Sequence, residues 1–141
     1  MNRLAAALAI AVVLTGCSPS VDSFSVHRYA IEIGNHWEFP PLDRTVNDPA
    51  IAAKLYHDIR ALRPDTATHG CAIDFGVRYE LSFFASGTRV MHAMMDMGCH
   101  AIDLGAGDRR AFDDQIETEL LGALGLYTRG NGLWPTPIPR P

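Results

Sequence analysis

Between Cys71 and Phe83 the chain runs Cys-Ala-Ile-Asp-Phe-Gly-Val-Arg-Tyr-Glu-Leu-Ser-Phe, and its apolar side chains fall on every second residue. Cys71, Ile73, Phe75, Val77, Tyr79, Leu81 and Phe83 alternate with Asp74, Gly76, Arg78, Glu80 and Ser82. A period of two places one set on a buried face and the other in water, so this segment predicts a half-buried strand. Ala85-Ser86-Gly87 then turns the chain. Met91, Ala93, Met95, Met97 and Cys99 form the inward set of a second strand, with His92, Met94 and Asp96 outward. The two strands make a hairpin.

Outward from this hairpin the period changes to that of helices. Asn47 or Asp48 caps, Pro49 suits a first helical position, and Ile51, Leu55, Ile59 and Leu62 form one stripe that ends before Pro64. A second helix carries Phe112, Ile116, Leu120, Ala123 and Leu124, with Asp114 and Glu117 as a capping box and Gly125 at its end. Val26–Ile33 is rich in β-formers and predicts a strand. Pro40 and Pro41 make His36–Val46 an irregular connection, Ala101–Leu104 extends or repeats the sheet, and Gly105–Asp108 is a turn. The expected fold is α+β: an antiparallel sheet of three to four strands with two helices packed on one face.

With 141 residues, 48% apolar and 20% charged, the chain suits one folded domain rather than a disordered polymer. Twelve basic against sixteen acidic side chains leave a net charge of −4, which argues against nucleic acid and acidic membrane surfaces as partners.

The start of the chain speaks to location. Met1–Arg3 is a short positive start, Leu4–Leu14 is an apolar run of signal-peptide length, and Leu14-Thr15-Gly16-Cys17 resembles a bacterial lipobox. That resemblance implies cleavage after residue 16 and acylation of Cys17, a palmitate-type modification that holds a protein on a bilayer. The expected organisation is a lipoprotein signal peptide at 1–16, a flexible tether at 17–25, one domain at 26–126 and a Pro-rich tail at 127–141. The expected location is the extracytoplasmic side of the cell membrane or the outer membrane.

Cys71 and Cys99 remain as an even pair in an exported chain, which points to a disulfide. A three-residue turn centred on Ser86 would set residue 73 opposite Cys99, one diagonal step from Cys71. Closing that loop is worth roughly 3–4 kcal/mol in the chain-entropy model.

Met91–His100 holds four of the five methionines with His92 and His100. Soft thioether and imidazole ligands select Cu(I), so His92, Met94 and His100 are the alternative metal set. The alternation splits this cluster and turns Met91, Met95 and Met97 toward the core, where methionine fills gaps. His69, Cys71, Cys99 and His100 would suit zinc only without the disulfide, and their spacing matches no common module. No nucleophile elbow or phosphate loop is present, and His57 and Asp58, adjacent on a helix, do not face each other. Trp37, Phe39 and Trp134 lie outside the predicted elements and are the candidate aromatic anchors of a binding surface.

Pro40–Pro49, Leu55-Tyr56, Cys71–Phe83, Gly98-Cys99 and Leu124–Leu126 together resemble small exported or lipid-anchored domains of high-GC bacteria, domains without an assigned activity. The resemblance spans Pro40–Leu126 and implies the paired cysteines and the mixed fold. The sequence thus leads to a non-enzymatic, lipid-anchored envelope protein without a cofactor, its partner an envelope protein or the cell wall. A copper-binding lipoprotein is the alternative.

Overall fold

A computed structural model of the chain describes residues 19–29, 41–66 and 77–126 in full, and 31–33, 37–39 and 138–139 as backbone. Among these residues the elements run β1 (Ser23–Arg28), β2 (Ile31–Ile33), β3 (Trp37–Phe39), β4 (Leu42–Val46), α1 (Pro49–Ala61), β5 (Arg78–Ala85), β6 (Thr88–Asp96), β7 (Ala101–Asp103), β8 (Arg109–Ala111), α2 (Asp114–Ala123) and β9 (Ile138–Pro139). Six of the strands form one sheet in the order β4-β1-β5-β6-β7-β8, and every described pairing in it is antiparallel. A second sheet has the order β2-β3-β9.

The expected sheet of three to four strands is therefore too small. Two strands were hidden by local chemistry. Pro40 and Pro41 precede β4 rather than interrupt it, and a sheet edge tolerates proline where no ladder donor is needed. β8 is three residues long and carries Arg109 and Arg110, which gives no alternation to detect. The segment read as a single strand, Val26–Ile33, divides between β1 and β2. The expected tether also ends sooner, since β1 begins at Ser23 and both Val21 and Phe24 are buried.

The core lies on one side of the large sheet. Phe24 and Val26 of β1, Tyr79, Leu81 and Phe83 of β5, and Met91, Ala93 and Met95 of β6 pack with Ala52, Leu55, Tyr56 and Ile59 of α1 and with Ile116, Leu120 and Leu121 of α2. On α1 Leu55 and Ile59 of the expected stripe are buried, joined by Ala52 and Tyr56, and Leu62 packs half-buried against the core, whereas Ile51 is exposed. Phe83 stacks on Phe24 with ring centres 5.4 Å apart and meets Tyr56 edge-on at 5.8 Å.

The ends of the elements follow local rules. Asp48 caps α1 by accepting from the backbone N–H groups of Ala50 and Ile51 at 2.9 and 3.1 Å. Asp113 does the same for α2 toward Gln115 and Ile116, so the cap is Asp113 and not Asp114. α2 closes in a Schellman motif, with Leu126 N–H donating to Leu121 O and Gly125 N–H to Gly122 O. The β5–β6 turn consists of Ser86 and Gly87, both at positive φ (49° and 78°), the geometry that matches hairpin twist. It has two residues rather than three, and a bulge between Phe83 and Phe84 shifts the ladder again.

Candidate functional site

Alternation on β1 that buries Phe24, Val26 and Arg28 turns Ser25 and His27 to the opposite face of the sheet. The register then assembles two transverse rows there. Thr45 of β4 is the partner of Ser25, and Ser25 is the partner of Ser82 on β5. One step along, Asp43 is the partner of His27, and His27 of Glu80. These residues, with Val26 and Arg44, line a groove of about 300 Å³ across β4, β1 and β5.

Within the groove, His27 Nδ1 and Asp43 Oδ1 lie 2.6 Å apart, with both side chains well exposed. Glu80 is engaged on both oxygens: His92 Nε2 meets Oε1 at 2.9 Å, and the Tyr29 hydroxyl donates to Oε2 at 2.8 Å. These two hydrogen bonds, that to His92 first, hold the Glu80 carboxyl below its ordinary range, while the bond to Glu80 pushes the Tyr29 hydroxyl up. Tyr29 also meets the His27 ring edge-on at 4.8 Å. The Arg44 guanidinium donates to the Leu124 carbonyl at the end of α2. β1 lies between two strands and spends its backbone groups on both ladders, so this part of the face offers side chains rather than free amides.

The metal alternative is not gathered. His92 is on the outer face in contact with Glu80, whereas His100 lies in the turn after β6, its ring stacked on Phe112 with centres 5.3 Å apart. Met94 pairs with Glu80 on one side and Asp103 on the other. Among the described residues no group of three His, Cys, Asp or Glu side chains is placed to hold a metal ion. Met91, Met95 and Met97 are buried, in the direction their alternation indicates.

Cys99 is disulfide-bonded, while Cys71, its expected partner, lies outside the described residues, as does Cys17. The described part of the ladder between these strands reaches Arg78↔Asp96, with Met97 N–H donating to Val77 O just beyond, and Cys99 sits in a turn where its N–H donates to Asp96 Oδ1 at 3.1 Å. Trp37 and Phe39 belong to β3, paired with Ile33 and Ile31, and are not in a loop; Trp134 lies outside the described residues. Ile138 and Pro139 pair with Glu38 and Trp37, so part of the proline-rich tail joins a sheet.

Sequence alone placed Arg78, Glu80 and Ser82 on the water-facing side of their strand but gave no signal for His27, Asp43, Ser25 or Thr45. Their juxtaposition depends on the β1–β4 and β1–β5 registers, which no local pattern encodes. A smaller groove of about 230 Å³ lies between the helices, lined by Ile51, Leu55, Gly122 and Ala123, with Lys54 pairing to Asp58 and Glu119 at its rim. No described helix is long and apolar enough to cross a membrane. Comparison with protein-family models, curated proteins and solved structures finds no match.

Proposed function

We propose that this chain is a lipid-anchored cell-envelope protein, held by acyl chains on Cys17, whose domain is a non-enzymatic binding module. In this reading the partner is an envelope protein or the cell wall, and Cys71 and Cys99 brace the domain. The single observation that carries the binding-module reading is the polar groove on the face of the six-stranded sheet opposite the core. Among the described residues the helices cover one side of this sheet only, and the other presents a rigid array of side chains at fixed spacing, which suits recognition. The chemistry of the groove also favours binding over turnover. His27 and Asp43 are wet and screened, and the ladder-bound amides of β1 supply no donors aimed at a developing charge. No observation favours the copper alternative.

A photo-crosslinking residue placed at Thr45 in the full chain, irradiated in intact cells, tests the choice of face. Thr45 is exposed on the groove, and Ile51 is an exposed control on α1. The reading expects discrete adducts from position 45 that are absent from position 51. Adducts only from position 51, or none from position 45, would contradict it.

A further inference from the structure

The two rows of the groove differ in chemistry, and the difference specifies a ligand. Thr45, Ser25 and Ser82 are ladder neighbours on three consecutive strands, so their hydroxyls span two strand spacings, about 10 Å. None of the three makes a side-chain hydrogen bond among the described residues. A hydroxyl both donates and accepts, and three of them in line match a ligand that does the same along its length.

The parallel row excludes the charged alternatives. Glu80 is engaged on both oxygens by His92 and Tyr29, while Asp43 Oδ2 has no bond among the described residues. An open carboxylate repels anions, and the guanidinium of Arg44 is drawn away to Leu124 O. His27 already sits on Asp43, and His92 and Tyr29 on Glu80, so both carboxylates of the groove are engaged before an ammonium-rich ligand could reach them. A metal ion lacks a ligand set among the described residues.

We infer that the groove binds a neutral, hydroxyl-rich chain, a glycan of the cell wall or envelope, laid across β4, β1 and β5 along the Thr45–Ser25–Ser82 row. The inference rests on the binding-module reading and names its ligand class. Asp43 Oδ2 accepts from a sugar hydroxyl, and the row exchanges hydrogen bonds with hydroxyl or amide groups of successive units.

The test is a titration of the full chain in detergent micelles, followed by backbone amide chemical shifts. The probes are an N-acetylglucosamine tetramer, maltotetraose, spermidine and sulfate. Saturable shifts on β4, β1 and β5 with at least one of the two saccharides at up to millimolar concentration, and none with sulfate, are expected. In a Ser25→Ala, Ser82→Ala variant with unchanged thermal unfolding, affinity should fall about tenfold through loss of two hydrogen bonds. Silence with both saccharides, saturation by spermidine or sulfate instead, or a variant that binds saccharide as well as the parent would overturn the inference. Should the saccharides fail while crosslinks from position 45 persist, the glycan falls and the binding module stands.

Discussion

Glu117 sits on α2 among Ile116, Leu120 and Leu121 with 1% of its surface exposed, and among the described residues its Oε1 has no hydrogen-bond partner. Burial, helped by the neighbouring Asp114, pushes its carboxyl up to about 7. In the unfolded chain the group titrates near its ordinary 4.5, so the fold carries a proton there that the unfolded chain has already lost. The resulting contribution is intact below about pH 4.5, declines as pH rises and is gone above about 7, a swing on the order of 3 kcal/mol. Urea unfolding between pH 4 and 8 should show this decline in the parent protein, and Glu117→Gln should remove that part of the slope. An unchanged slope in the variant would show that the carboxyl is ionised in the fold. The charge of this residue disguised it as surface: the same stripe that identified Ile116 and Leu120 had Glu117 at a capping position.

At the scale of elements, α1, α2 and the β5–β6 hairpin were legible because each satisfies one period over many residues. What was not legible depended on partners distant in sequence. β4 exists because Val46 lies beside Phe24 and Leu42 beside Arg28, and β8 because Arg63–Asp65 covers its outer edge: Ala111 N–H donates to Arg63 O, Asp65 N–H to Arg109 O, and Arg109 Nε to Asp65 at 2.8 Å. Strands of three to five residues whose partners lie far away in sequence carry little signal of their own. The groove inherits the same limit, since its two rows are products of register. Gly125, by contrast, was marked in the sequence as a helix end and sits at φ +64° in the Schellman motif. A Cβ there would touch Arg44 only at ordinary contact distance, 3.6 Å, so Gly125→Ala should lose about 1 kcal/mol from backbone strain alone. A thermal melt equal to the parent's would refute the strained geometry at this position.

For the whole molecule, one side of the six-stranded sheet is used up by the core and both helices, and the other side holds the groove. In the proposed reading that side faces outward from a bilayer, with a lipid anchor at one end and a disulfide-braced domain beyond it. The start of the chain supports the first through its lipobox-like Leu14–Cys17. The second rests on Cys99, which is disulfide-bonded, and on the proposal that Cys71 is its partner. The most direct measurement is the intact mass and non-reducing peptide map of the protein extracted from membranes of its native cell. The account predicts a polypeptide starting at Cys17 and carrying diacylglycerol and acyl mass, with the peptides of Cys71 and Cys99 joined. A water-soluble species that retains Met1, with no added lipid and with Cys71 and Cys99 as free thiols, would contradict it.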